Sequence, residues 1–298
     1  MRLHAIVDFM YLYYKYWSTY DKGRLRRLIT IANGEEVDVT LIYYPLKEIE
    51  GIRKLFDKDG HDVILSICMD SKSVRKEKDV DYKSNRQNRL SDLDYENINL
   101  IGQLLKDAGH NVFKIEGEEA DDIIANLVNI YKEDFDLSVI YTPDSDALVN
   151  ISKGVVVSRY KRGKHENIGL RNFSGYCSEE FKCYIPYNAL LLHKVLCGDR
   201  TDAVKGIKGF GPKAFDKYIE WLGDKVDFSY LGNREACQEV ILNSIGYLGE
   251  EAIAQALYAL DLVCYRPINP ELLTLRDILS TKEERENSYG RYDMKSLI

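Results

Sequence analysis

Leu137-Ser138-Val139-Ile140-Tyr141-Thr142-Pro143-Asp144-Ser145-Asp146 sets a β-rich apolar run directly against a turn that carries two carboxylates. The same figure recurs along the chain. Asp8 follows Ala5-Ile6-Val7, Asp70 follows Leu65 to Met69, and Glu119 follows the run from Val112 to Glu118. Strands are therefore predicted at Leu3–Val7, Val63–Met69, Asn111–Glu116 and Leu137–Tyr141, separated by helix-length segments. One such segment, Asp94 to Ala108, repeats Ile98, Ile101, Leu104 and Leu105 at helical spacing and stops at Gly109; another begins near Glu119 and carries Ile123, Ile124, Leu127 and Val128. Strands alternating with helices read as an α/β fold with a mostly parallel sheet. The carboxyl ends of such strands open on one crevice, where ligands bind.

Working outward, the chain changes character near Gly175. Helices are predicted at Tyr187–Cys197, Pro212–Leu222, Arg234–Ile245 and Glu250–Leu262. This suggests a sheet-containing core over 1–175, a helical lobe over 176–262 and a charged extension of unassigned role over 263–298. Within the core, residues 71–93 form a polar connector too long for an ordinary loop. Ser71 to Leu90 holds seven basic residues against three acids, in a chain whose formal net charge is −7. An acidic protein thus carries a basic strip.

With 298 residues, 45% of them hydrophobic, the chain has enough apolar material for a substantial core. Its apolar stretches are too short to span a bilayer, and Met1 to Ile6 lacks the apolar region of a signal peptide, so the expectation is a cytoplasmic protein with no membrane partner. Six dispersed cysteines signal neither a disulfide framework nor a zinc site.

Asp8, Asp70, Glu119, Asp121, Asp122, Asp144, Asp146, Asp199 and Asp202 all fall at predicted strand or helix ends. Taken singly, several could be helix-terminal or turn residues. Taken together they would repel one another unless positive charge neutralised them. Hard divalent cations, Mg²⁺ or Mn²⁺, favour such oxygen ligands, and a pair about 4 Å apart stabilises both the attacking and the leaving oxygen of a phosphoryl displacement. The five histidines are scattered and offer no rival ligand set.

Gly206-Ile207-Lys208-Gly209-Phe210-Gly211-Pro212-Lys213 has the form of a helix-hairpin-helix turn, whose exposed N–H groups hold phosphate without reading bases. Lys205, Lys208 and Lys213 add positive charge, and Gly206, Gly209 and Gly211 give the backbone its tight path. In the basic strip, Asp81-Tyr82-Lys83-Ser84-Asn85-Arg86 pairs an aromatic ring suited to stacking on an unpaired base with two cations suited to neutralising phosphate. The aromatic run from Phe9 to Tyr20 keeps a helical period and reads as packing.

Val7-Asp8-Phe9, Met69-Asp70, Tyr82-Lys83-x-x-Arg86, Gly117-Glu118-Glu119-Ala120-Asp121-Asp122, Thr142-Pro143-Asp144-Ser145-Asp146 and Gly198-Asp199-x-x-Asp202 with the glycines beyond it together resemble the flap endonuclease and 5′-to-3′ exonuclease family. The resemblance runs in order from about residue 3 to 262 and leans toward phage members, including phage ribonuclease H-like 5′ nucleases. It implies a PIN-like fold with a helical arch and a helix-three-turn-helix lobe, often with bound K⁺. It further implies that Asp8, Asp70, Glu119, Asp121 and Asp122 serve one Mg²⁺ (or Mn²⁺) and that Asp144, Asp146, Asp199 and Asp202 serve a second. Lys83 and Arg86 would contact the scissile phosphate, and water would supply the nucleophile. The implied substrates are branched or nicked DNA, 5′ flaps or RNA primers, cut during replication by a monomer assisted by a polymerase or single-strand-binding protein. A single-strand-specific PIN-type ribonuclease and a non-catalytic DNA-structure binder are the competing expectations.

Overall fold

A computed structural model describes residues 1–298 except 33, 85–88, 162–163 and 229–230, together with the side chains of 32 and 161. The chain begins with β1 (Arg2–Asp8), which runs straight into α1 (Phe9–Asp21), capped by Asp8 itself. A short antiparallel hairpin, β2 (Ile29–Ala32) and β3 (Glu35–Asp38), leads into α2 (Thr40–Lys58) and then β4 (Asp62–Cys68). The polar connector contributes the short α3 (Arg75–Lys78). After it come α4 (Asp92–Asp107), β5 (Asn111–Phe113), α5 (Ala120–Tyr131), β6 (Leu137–Tyr141), and the hairpin of β7 (Val155–Lys161) and β8 (Lys164–Ile168).

The sheet order is β5-β4-β1-β6-β7-β8, parallel throughout except for the last pair. β1 lies at its middle, paired with β4 on one side and β6 on the other. Chain order reverses there, so the end of β1 and the end of β6 flank the switch point at which open sheets bind ligands. Leu3, Ala5 and Val7 face a core shared with α1, α2 and α4, while Ile6 faces α5 and the helical lobe. Period-two alternation in a buried parallel strand feeds both layers.

The lobe comprises α6 (Phe173–Phe181), α7 (Leu190–Cys197), β9 (Gly198–Asp199), β10 (Val204–Lys205), α8 (Pro212–Leu222), α9 (Arg234–Asn243), α10 (Ile245–Leu248) and α11 (Glu250–Val263). It shares one continuous apolar cluster with α5 and β6. Residues 264–298 return to the sheet-containing core and include α12 (Lys282–Tyr289), which packs on α4. Tyr289 is buried and donates its hydroxyl proton to Glu50 at 2.6 Å, and Leu297 joins the core. The charged tail is therefore part of the fold. The strand predicted to Glu116 stops at Phe113, the helix expected over Arg234–Ile245 breaks at Ser244, and β2, β3, β7 and β8 are strands not foreseen.

Among the described residues, no helix is long and apolar enough to cross a membrane.

Candidate active site

Strand ends and the start of α5 deliver the acids. Asp8 closes β1 and caps α1, accepting from the Tyr11 N–H at 3.4 Å and from the Thr142 hydroxyl at 2.9 Å. Asp70, just past β4, accepts from the Ala120 N–H at 2.7 Å and so ties β4 to the start of α5. Asp121 lies in the first turn of α5, and Asp144 in the turn after β6. A cleft of about 450 Å³ is lined by Asp8, Asp70, Asp121, Asp144, Lys83 and Arg159, among others.

Burial, then Asp70, push the Asp8 carboxyl up to about 7 against the opposing hydrogen bonds from Thr142 and Tyr11. Burial, then Asp144 and Asp8, hold Asp121 well above the usual carboxylate range. These acids want a positive neighbour that the protein does not fully provide. All the donors are hard oxygens, the set that suits Mg²⁺ or Mn²⁺. Among the described residues, no group of three or more His, Cys, Asp or Glu side chains has converged into a ready-made ion cage. Asp8, Asp70, Asp121 and Asp144 line this cleft, and two lysines meet the acids of the site, only one of them in the cleft itself.

The first is Lys83, whose ammonium lies 3.0 Å from Glu119 and 3.6 Å from Asp202. Its own N–H donates to the Asp202 carbonyl at 2.9 Å. Tyr82 turns inward beside it, donating to Glu119 at 3.0 Å and Asp202 at 3.2 Å. The ring is buried, not displayed on the surface as a stacking platform would be. Burial alone would raise the Glu119 carboxyl, but Lys83 and Arg75 bring it below the ordinary range. Arg86 lies outside the described residues.

Lys194 is the second, only 3% exposed and ion-paired with both Asp146 and Asp199, the latter at 2.7 Å. At Asp199, Lys194 and the N–H groups of Thr201 and Asp202 overcome the effect of burial and lower the carboxyl; at Asp146 burial prevails and pushes it up to about 8. Lys194 escaped the sequence reading, although a lone cation in the apolar helix Leu190-Leu191-Leu192-His193-Lys194-Val195-Leu196-Cys197 was a signal. Arg75 escaped as well. It grips Asp122 with both terminal nitrogens at 2.6 Å, reaches Glu119 at 2.9 Å and donates to the Cys264 carbonyl at 2.8 Å. Asp122 is wholly buried in this pairing and also accepts from the Arg266 N–H, so it faces the returning C-terminal segment and not the cleft.

The glycine hairpin adjoins the same acids. Asp199 lies in β9, whose register with β10 pairs it with Val204 and sets Lys205 opposite Gly198. A Cβ on Gly206 would meet the Cys197 carbonyl carbon and the Gly198 nitrogen at 2.3 Å, so only glycine lets these backbones close. Gly209, at φ +79°, turns the chain, Gly211 caps α8, and Pro212 occupies its first turn. Lys205, Lys208 and Lys213 are exposed around this turn.

Residues 4–175 match the family model described as the 5′-3′ exonuclease, N-terminal resolvase-like domain. The chain belongs to the 5′-3′ exonuclease family. Its relatives include DNA polymerase I of Caldicellulosiruptor bescii, 26% identical over 88% of this chain and 29% of the polymerase. The 5′-3′ exonuclease of Aquifex aeolicus is 30% identical over 57% of each chain. The chain thus spans less than two thirds of either relative. Among solved structures, T5 5′-exonuclease with bound zinc ions superposes with a TM-score of 0.57 at 16% identity, covering 99% of both chains. The bacteriophage T5 flap endonuclease, in a pseudo-enzyme-product complex with DNA and metal ions, has a TM-score of 0.57 at 17% identity, covering 99% of this chain and 95% of its own. At these identities the match establishes the fold, which for this family member is the mixed, mostly parallel sheet flanked by helices.

Proposed function

We propose that this exonuclease-family chain is a structure-specific 5′ nuclease that hydrolyses phosphodiester bonds in 5′ flaps, or at 5′ ends of DNA or RNA primers, with two Mg²⁺ or Mn²⁺ ions. The observation that carries this reading is the wall of under-neutralised carboxylates at the switch point, continuous through β9 with a glycine hairpin suited to duplex phosphate. Asp8, Asp70, Asp121 and Asp144 line the cleft and would hold a first ion, with Glu119 beside them. Asp146, Asp199 and Asp202 offer a second set, and Asp122 acts through Arg75 on the shape of the site. Bound divalent ions would supply Lewis acidity and charge neutralisation for attack by water.

The chain's own side chains do the rest. Lys83, already in the cleft, neutralises the scissile phosphate together with Arg86. The hairpin N–H groups, with Lys205, Lys208 and Lys213, hold the duplex backbone, with a K⁺ ion bound at the turn. The protein acts as a monomer in the cytoplasm beside a replication polymerase or a single-strand-binding protein. A pseudo-Y DNA labelled on its 5′ arm should be cut near the junction in Mg²⁺ or Mn²⁺. Absence of cutting in both metals sinks the proposal, and preferential cutting of single-stranded RNA would transfer the chain to ribonuclease chemistry.

A further inference from the structure

Arg159 stands on β7, one strand beyond the acids, at the point where Ser158 pairs with Tyr141. Its Nε donates to the Pro143 carbonyl at 2.7 Å. The same peptide unit is held from its other end, because the Asp144 N–H donates to the Thr142 hydroxyl oxygen at 3.2 Å. That hydroxyl in turn donates to Asp8 at 2.9 Å. The peptide from which the Asp144 side chain springs is thus gripped at both its carbonyl and its N–H. Downstream, the Asp146 N–H donates to Asp144 Oδ1 at 3.0 Å, which orients the carboxylate itself.

The guanidinium is fixed by α6. Its Nη1 bonds to the Tyr176 hydroxyl and lies 3.6 Å from Glu180, and its carbon lies 5.6 Å from the centre of the Tyr176 ring. A planar fork with several donors can meet a carbonyl on one edge and a hydroxyl and a carboxylate on the other. A methionine would fill the same space and meet none of them.

We infer that Arg159 is a positioning residue for divalent-ion binding, holding the Pro143–Asp144 peptide so that the Asp144 carboxylate presents to the cleft. This rests on the two-ion reading above. Groups that orient ligands in this way are typically worth about 10- to 100-fold in metal affinity.

The test is calorimetric titration of the full chain with Mn²⁺ in the absence of DNA, beside DNA binding measured in chelator. Arg159→Met should weaken Mn²⁺ binding by about 10- to 100-fold, whatever the loss of a cleft-lining cation does to DNA affinity in chelator. Arg159→Lys, which keeps one donor, should recover part of the loss. Tyr176→Phe, which steers the guanidinium without touching the cleft, should show a smaller loss in the same direction and serves if Arg159→Met does not fold. Wild-type protein that binds no Mn²⁺ overturns the two-ion reading and this inference with it. Wild-type binding with an unchanged Arg159→Met variant overturns this inference alone, as does a loss confined to DNA affinity in chelator.

Discussion

The acids on the strand side of the crevice and those on the helical side are neutralised differently. Asp8, at the end of β1, and Asp121, in the first turn of α5, face other carboxylates and are pushed upward. Glu119, Asp199 and Asp122 face Lys83, Lys194 and Arg75, and the first two are pulled below their ordinary range. The chain supplies its own counter-charge where helices can bring a lysine or arginine inward. It leaves charge open where Asp121 faces Asp8 and Asp144 beside the ends of β1 and β6. The strand side is therefore where external cations gain most, and the helical side is where the fold itself depends on ion pairs.

The largest way to break this contrast is Asp121→Asn. Loss of several kcal/mol of transition-state stabilisation corresponds to a fall in turnover of about 10³-fold. Metal-free thermal stability should hold or rise as repulsion is relieved. A variant that keeps wild-type turnover would refute the strand-side assignment. On the helical side, Arg75→Met should act in the opposite sense. Stranding Asp122 in the interior costs about 3–5 kcal/mol, to be read by urea unfolding, with Asp122→Asn added to Arg75→Met restoring part of it.

Lys194→Met sharpens the comparison, because it converts a self-neutralised pair into an open one. Stability in chelator should fall by about 3 kcal/mol. Saturating Mn²⁺ should recover more of it than it adds to wild type.

A subtler expectation concerns pH. Asp8 at about 7 and Asp146 at about 8 hold their protons more tightly folded than unfolded, so their contribution to stability is full below the unfolded value near 3.8 and is lost as pH rises through 7 and 8. Buried His4, near 3, and His193, near 4, act oppositely, but only below the ordinary histidine value of 6.5. Between pH 6.5 and 8 the carboxylates act alone. The melting temperature in chelator should decline across that window and flatten when Mg²⁺ is added; a flat profile without Mg²⁺ would count against the open charge. Smallest of all, Lys208→Ala and Lys213→Ala should each weaken DNA binding evenly across sequences and reduce the salt slope by about 1.

Asp8, Asp70 and Asp144 were legible in the sequence because their signal is local: an apolar β run followed closely by a carboxylate. The hairpin was legible because Gly206, Gly209 and Gly211 impose backbone geometry that few other residues tolerate. The ion pairs were not. Arg75 meets Asp122 across 47 positions and Lys194 meets Asp146 across 48, whereas the Lys194–Asp199 pair, five positions apart, is local. Tyr82 illustrates the same limit, since its sequence neighbours suggested an outward ring and only the fold brings Glu119 and Asp202 to its hydroxyl. The tail was opaque because Tyr289 and Leu297 are too widely spaced to announce a buried face.

The central place of β1 also governs how the molecule is made. Leu3 pairs with Val63 on one side and with Leu137 on the other. On a ribosome the strand bearing Asp8 waits, half-bonded, until β6 emerges, and closing so long a loop is slow. The cleft is thus among the last features to form, and a nascent chain carries no assembled acidic cleft until its sheet is nearly whole.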